Sequence, residues 1–327
     1  MRRILVTGAG GFIGGHLVGA LRAAGAAFIR AVDAAPVERW YQRFPDVECQ
    51  TADLQDINHC RTVCTEVDTV FNLAADMGGM GFIENNKALC MLSVLISTHM
   101  LKAAQESGVE RFFYSSSACV YAAAKQDSPA VEPLREEDAY PAMPEDGYGW
   151  EKLFSERMCR HFYEDFGLET RVGRYHNVYG PYGTFEGGRE KAPAAICRKI
   201  AQAKLSGVHE IEIWGDGKQT RSFTYINDCI EGTLRLTNSN VRQPINIGSD
   251  QLVSVDELVD IVVAIAGVRV ERHYNPSAPQ GVRGRNSENT LVREALGWAP
   301  TTSLQEGLEQ TYAWIYDQLA PRFSFGR

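Results

Sequence analysis

This chain of 327 residues has no cysteine pairs at metal spacing, no strong basic character, no internal repeats and no low-complexity tracts. Eight cysteines occur (Cys49, Cys60, Cys64, Cys90, Cys119, Cys159, Cys197 and Cys229), but none forms a Cys-x-x-Cys or a zinc-type Cys/His pattern. A metal site is therefore not expected, and scattered cysteines in a reducing compartment serve as small buried hydrophobes. Acidic residues exceed basic ones, 41 to 33, for a formal net charge of −8. That balance speaks against nonspecific binding to nucleic acid or to an anionic membrane. It leaves room for an anionic small ligand, which a local basic cluster can hold. No apolar run reads as long enough to span a membrane. Met1-Arg2-Arg3 leads straight into the strand-like Ile4-Leu5-Val6, so no signal peptide is expected. The expectation is a soluble cytoplasmic protein, in keeping with 44% hydrophobic and 23% charged residues.

The first half alternates strand-like and helix-like segments, the pattern of a doubly wound parallel α/β sheet. Strands are expected at 3–7, 28–32, near 47–49, at 69–75, from 112 and at 170–174, with helices through about Ala24, over 86–106 and over 148–166. Beyond Arg174 the chain turns rich in Gly, Tyr and Asn up to Glu190, the composition of a functional loop. Pro193 marks a helix start. Short strand-like pieces follow (211–214, 223–225 and 245–247), then helices over 255–266 and 304–319. The expected division is 1–174 plus about 222–247 as a cofactor-binding domain, with 175–221 and 248–327 as a smaller interleaved lobe for substrate.

Gly8, Gly11 and Gly14 lie between the first strand and a helix opened by Phe12 and Ile13. A tight turn and close backbone approach there let the helix N-terminus face a pyrophosphate. Such glycines alone are a weak signal. Asp33, about 20 residues on at the end of the next strand, strengthens it: a carboxylate there accepts from a ribose diol and repels a 2′-phosphate, favouring NAD over NADP. Asp53 and Leu54 fall where the adenine edge would lie, and Leu73 and Ala74 where the fourth strand ends.

The strand from Phe112 stops in Ser115-Ser116-Ser117-Ala118-Cys119, which places hydroxyls and a thiol at a strand's carboxyl end, where ligands of open sheets bind. Tyr148 and Lys152 stand one helical turn apart on one face. A neighbouring ammonium and a positive nicotinamide both favour the phenolate.

On these residues the chain resembles the extended short-chain dehydrogenase/reductase family over nearly its whole length, including the ending Leu296-Gly297-Trp298-Ala299-Pro300. The resemblance implies a Rossmann-type fold, bound NAD, a nucleotide-sugar substrate and a Ser117/Tyr148/Lys152 triad. Ala122 departs from the Gly or Pro that many relatives carry there. In the family's dehydratases the positions of Ala118 and Cys119 hold Asp and Glu, so Ala118 disfavours elimination of water. Cys119, two residues after the triad serine, is a plausible proton carrier, and nearby cations would raise its thiolate fraction. Lys191, just before a helix start, is the candidate for a second group on the opposite sugar face, its pKa lowered by the helix dipole.

Long passages, among them Asp76-Met77-Gly78-Gly79-Met80-Gly81 and Gly281-Val282-Arg283-Gly284-Arg285, narrow the resemblance to family members that epimerise a GDP-hexose. It implies Cys119 and Lys191 as the acid/base pair. It also implies substrate contacts at Gly78, Ser117, Ala118, Cys119, Asn177, Glu190, Lys191, Ala192, Lys199, Gln219, Arg221 and an arginine of the Arg283/Arg285 pair. Lys199, Arg221, Arg283 and Arg285 make sense as a basic clamp on a diphosphate. A homodimer through the 86–106 and 148–166 helices is a further implication. Two other readings remain open, a C4 epimerase of another nucleotide-sugar and a noncatalytic NAD-binding regulator.

Overall fold

A computed structural model describes residues 3–324; Met1 and Arg2, read above as leading into the first strand, lie outside the described residues. The first half contains β1 (Arg3–Thr7), α1 (Phe12–Ala23), β2 (Phe28–Asp33), β3 (Glu48–Thr51), α2 (Ile57–Cys64), β4 (Thr69–Asn72), α3 (Met80–Asn85), α4 (Lys87–Glu106), β5 (Arg111–Ser117), α5 (Asp146–Phe166) and β6 (Glu169–Tyr175). Then come β7 (Val178–Tyr179), α6 (Ala192–Ser206), β8 (Glu210–Trp214), β9 (Thr220–Ser222), β10 (Thr224–Tyr225), α7 (Ile226–Asn238) and β11 (Ile245–Ile247). The chain ends with β12 (Leu252–Ser254), α8 (Val255–Ala266), β13 (Glu271–Asn275), β14 (Gly284–Arg285), α9 (Thr290–Leu296) and α10 (Leu304–Ser324).

Seven strands form one sheet in the order β3-β2-β1-β4-β5-β6-β11, and every pairing in it is parallel. This is the expected doubly wound sheet. Its strand order reverses between β1 and β4, and ligands bind outside the carboxyl ends of strands at such a reversal. The register aligns Thr7 with Asn72, Asn72 with Tyr114 and Ser117 with Tyr175, so the glycine turn and the serine-rich strand end open on the same edge.

Strands covered on both faces read as continuous apolar runs, which is why β1 and β5 were plain in the sequence. Successive side chains take opposite faces. Ile4 and Val6 join one core, which reaches through Ile226 and Ile247 to Leu258, Leu308 and Ile315. Leu5 joins another, with Val70, Met100 and Phe112 under α2 and α4. The first core is continuous from the sheet into the C-terminal half. Helix α7 packs on α1, and α10 packs on α6 and α8.

One expectation is corrected. Helix α4, 20 residues with mean hydropathy 1.3, is long and apolar enough to cross a membrane by length and composition. It packs along α2 and α5 on the flank of the sheet, and its apolar residues are divided between that core and an outer face. Four further helices, α2, α3, α7 and α9, were not anticipated. In α7, Gly232 and Thr233 put two poor helix formers in the middle of an otherwise helical pattern. Gly232 is required because a Cβ there would lie 2.7 Å from the Trp298 ring.

Candidate active site

The turn after β1 closes only with glycine at two points. Gly8 has φ +66°, and a Cβ on it would stand 3.0 Å from the backbone of Leu73 and Ala74; a Cβ on Gly14 would be 2.1 Å from the Gly8 carbonyl oxygen. The result is a bare backbone cradle at the start of α1, which fits a pyrophosphate. Thr7 Oγ1 accepts from the N–H of Leu73 and of Ala74, 3.1 Å each, and so ties the ends of β1 and β4 together. Asp33 accepts from the N–H of Gly10 at 3.0 Å and of Ala35 at 2.8 Å. Burial raises its pKa despite these N–H groups, which pull the other way. Phe12 and Ile13 are half-buried at the opening of α1. Asp53 is exposed and accepts from the Gln55 N–H at 2.9 Å, whereas the Leu54 side chain is buried in the core beneath α2.

The structure brings Ser117, Tyr148 and Lys152 together. Ser117 ends β5, its Oγ accepts from the Cys119 N–H at 3.2 Å, and it lies near enough to Tyr148 to favour the phenolate. Lys152 is 2% exposed, its Nζ donating to the Ser115 carbonyl at 3.0 Å and lying 5.6 Å from the centre of the Tyr148 ring. Behind it, the buried Glu151 carboxylate stands 3.7 Å from Nζ and accepts from Ser97, Tyr114 and Ser155. Burial pushes the Tyr148 hydroxyl well above its usual range, and the neighbouring Cys119 and Glu151 add to this. In the protein alone Tyr148 is therefore a phenol. The ammonium of Lys152 does not by itself produce the phenolate, and the positive nicotinamide is the remaining influence in that direction.

Cys119 is 8% exposed in the turn after β5, packed with Tyr148, Ile83 and Cys90. The expectation of a thiolate favoured by cations is corrected. Burial pushes the thiol up, the Glu145 charge pushes it further, and Arg285 only partly opposes them. Lys191 is half-buried where expected, capping α6. Its pKa is lowered by burial, with Cys119 and Cys229 pulling back and Arg285 adding to the lowering. Desolvation of the amine, which disfavours its charged form, is thus the main cause, where the sequence had suggested the helix dipole. The site holds a protonated thiol and an amine eased toward its neutral form.

The basic residues do not assemble as four open cations. Arg285 is 4% exposed and donates to Glu145 and to Gln126, 2.6 Å each, with Nη1 3.5 Å from Cys119 Sγ. Arg283 is paired with Asp216 at 3.0 Å. Lys199 lies against Glu212 and Trp214, and burial lowers its pKa. Arg221 donates to the carbonyls of Thr220, Gln280 and Val282; burial, with Arg285 nearby, lowers it to about 10. Gln219 is 6% exposed, donates to the Trp214 carbonyl and leaves Oε1 buried without a partner among the described residues. Asn177 sits at φ 38° and donates to the Ser222 carbonyl. Glu190 pairs with Arg198 at 3.2 Å, and its backbone carbonyl lies where a Cβ on Gly79 would go. Ala192 opens α6, Gly78 abuts Phe82 and Arg189, and Ala118 is buried.

Sequence reasoning missed four side chains here. Glu145, immediately before α5, reads in sequence as an ordinary helix-start acid. Gln126 carried no signal. Arg189 and Asp76 form a 2.7 Å ion pair, with the guanidinium 3.8 Å over the Phe82 ring, joining two loops more than 100 residues apart in sequence. Away from the site, Glu210, Glu271 and His273 meet on an exposed edge, as surface acids commonly do.

A glycine cradle with a ribose-facing carboxylate, beside a serine, a tyrosine and a lysine, defines a dinucleotide-dependent enzyme acting at a hydroxyl carbon. Residues 4–248 match the model of the NAD dependent epimerase/dehydratase family, and the chain belongs to that family. It is 52% identical over 318 residues to GDP-mannose 3,5-epimerase 1 of Oryza sativa subsp. indica, covering 97% of this chain and 82% of that protein. Identity to the GDP-mannose 3,5-epimerase of Arabidopsis thaliana is 49%, covering 97% and 83%. Among solved structures, the Thermotoga maritima UDP-glucose 4-epimerase with UDP-glucose matches at a TM-score of 0.86 and 27% identity, covering 97% of this chain and 99% of that one. MoeE5 in complex with UDP-glucose and NAD matches at 0.80 and 31%, covering 97% and 99%. The cofactor is NAD, as expected from Gly8, Gly14 and Asp33.

Proposed function

We propose that the protein is a nucleotide-sugar epimerase that converts GDP-D-mannose to GDP-L-galactose, with GDP-L-gulose formed when C5 alone inverts. The observation that carries this reading is the meeting of Cys119 and Lys191, near enough for the thiol to bear on the amine's protonation, beside the Ser117–Tyr148 pair. A C4 epimerase needs only Ser117, Tyr148 and Lys152. Inverting a carbon next to a carbonyl needs one group to take a proton and another to give one from the opposite face.

NAD, held by the Gly8–Gly14 turn and Asp33, supplies the acceptor for the C4 hydride and its later return. Tyr148 takes the proton of the C4 hydroxyl, with Lys152 beside it and Ser117 hydrogen-bonding the same oxygen. Once C4 is a ketone, the C–H bonds at C3 and C5 are acidic. Cys119 and Lys191 exchange protons there, while Ser117 and Tyr148 steady the developing negative charge on oxygen. Residues 1–174 and about 222–247 hold the cofactor, and the remainder holds the nucleotide-sugar. The buried, unpartnered Oε1 of Gln219 suits a donor on the incoming substrate. Arg221 is the clamp arginine with no carboxylate partner among its described hydrogen bonds.

We also propose a homodimer. Met91, Leu92 and Leu95 on α4 and Trp150 and Phe154 on α5 are large, apolar and exposed on two adjacent helices, a surface suited to a second copy. Light scattering should give twice the chain mass; a monomer at micromolar concentration would remove this part of the reading.

Incubation with GDP-mannose in D2O, followed by NMR of the recovered sugar, tests the activity. Deuterium at C5 and C3 with GDP-L-galactose is expected. A C4-inverted sugar free of carbon-bound deuterium would make the protein a C4 epimerase. No change in any nucleotide-sugar, with NAD bound, would make it a noncatalytic binder.

A further inference from the structure

The surroundings of Cys119 include a carboxylate that the proposed chemistry has not used. Glu145 is tied to the thiol's segment in two ways. Its backbone N–H donates to the Cys119 carbonyl at 3.0 Å, and its carboxylate shares the Arg285 guanidinium with the thiol. Arg285 then clamps the pair, 2.6 Å from the Glu145 carboxylate and 3.5 Å from Cys119 Sγ, with Gln126 fixing the guanidinium from its other side. Burial alone would raise Glu145, but the charge and hydrogen bond of Arg285 outweigh it and hold the carboxyl below its usual range.

We infer that Glu145 is a positioning residue that relays protons between the thiol of Cys119 and water, an assignment that rests on the epimerase reading above. The reason is charge. Ionising the thiol on its own would add a negative charge to a buried cluster, which is costly. Passing the proton to Glu145 adds none: the S–H bond breaks, a carboxylic O–H forms, and the thiolate remains beside Arg285. In the other direction, a proton that Cys119 has taken from a sugar carbon moves to Glu145. From there it reaches solvent, because Cys119 and Glu145 line one cavity of about 410 Å³ with the exposed Asp127 and Asp146 at its rim. The groups facing the thiol are Ser117 from β5, Glu145 just ahead of α5, Tyr148 from α5, Arg285 from β14 and Lys191 ahead of α6, with Arg221 of β9 facing Glu145. Glu145 is the one among them that both shares the Arg285 guanidinium with the thiol and opens on the cavity. It therefore decides whether a carbon-derived proton is returned to the sugar or lost to solvent.

The test uses the NAD-loaded protein and its Glu145→Gln variant with GDP-mannose in D2O, scoring deuterium per product molecule early in the reaction. The variant should carry at least about tenfold less deuterium at the carbon that Cys119 serves. Equal incorporation in both proteins overturns the relay. A second measurement needs no turnover: the pH dependence of Cys119 alkylation by iodoacetamide, read on the Cys119 peptide by mass spectrometry. With Glu145 neutralised, Arg285 is unopposed, and the midpoint should move to lower pH. An unmoved midpoint also overturns the assignment. If the wild-type protein incorporates no deuterium, the epimerase reading fails, and the alkylation midpoint still decides whether Glu145 and Cys119 are coupled.

Discussion

A side chain on Gly149 would stand 2.2 Å from the carbonyl oxygen of Cys119. Helix α5 rests so closely on the turn after β5 that only bare backbone fits between them. That contact places Tyr148, the neighbouring residue, against Ser117 and Cys119. Gly149→Ala forces the helix off the turn at a cost of about 1–3 kcal/mol. A lowered melting temperature and a loss of turnover larger than the loss of NAD binding are expected. A variant with wild-type melting and turnover would show that the contact yields easily.

Lys191 carries a stability cost for its chemistry. Burial lowers its pKa from the ordinary lysine value of 10.5, so the unfolded chain binds this proton more readily than the folded one. Stability on its account rises with pH between the lowered native value and about 10.5. Lys191→Met should therefore be more stable than the wild type to urea at neutral pH, with the gain shrinking as pH approaches 10.5. The same variant should still oxidise C4, seen as bound NADH, and should yield no epimerised sugar. Normal product would make Lys191 a mere helix-start residue.

Arg189 latches the loop that leads into Lys191 onto the turn after β4, through Asp76, the Phe82 ring and a 2.9 Å bond from the Gly79 N–H to its own carbonyl. The ion pair is partly exposed and screened, so the latch side chain is worth about 1–2 kcal/mol. Arg189→Ala should raise KM roughly five- to tenfold, with a smaller fall in kcat. Wild-type KM should climb with ionic strength more steeply than the variant's; parallel salt curves would remove the ion pair from substrate binding.

Arg174 and Glu156 face each other at 2% and 3% side-chain exposure, joined by bonds of 2.9 and 2.7 Å, and Arg174 also holds the Glu136 carbonyl at 2.7 Å. Arg174→Met leaves a buried carboxylate without its cation, a loss of about 3–5 kcal/mol by denaturant unfolding. Adding Glu156→Leu should restore part of that loss. A double variant no better than the single would place the cost in packing.

The frame was legible because its physics is local. Apolar runs at β1 and β5, the glycine turn with Asp33 beyond it, and Tyr148 four residues before Lys152 are all patterns within short stretches of chain. Helix α7 was not, because Gly232 owes its place to Trp298, distant in sequence. The clamp shows the same limit: Arg283 and Arg285 look alike in sequence, yet one pairs with Asp216 at the rim and the other lies beneath the thiol. The protonation of Cys119 was misjudged for a related reason. Counting nearby cations says nothing of burial, or of Glu145, which only folding brings to the thiol.

The core that continues from Ile4 to Ile315 ties the two halves into one packed cluster. Access to Cys119 therefore falls to the rim of its own cavity, where Met80, Glu84, Asp127, Asp146 and Arg283 stand over a rigid bed. A frame of that kind can keep its interior while its rim is rewritten, and the sugar it accepts becomes a property of the rim.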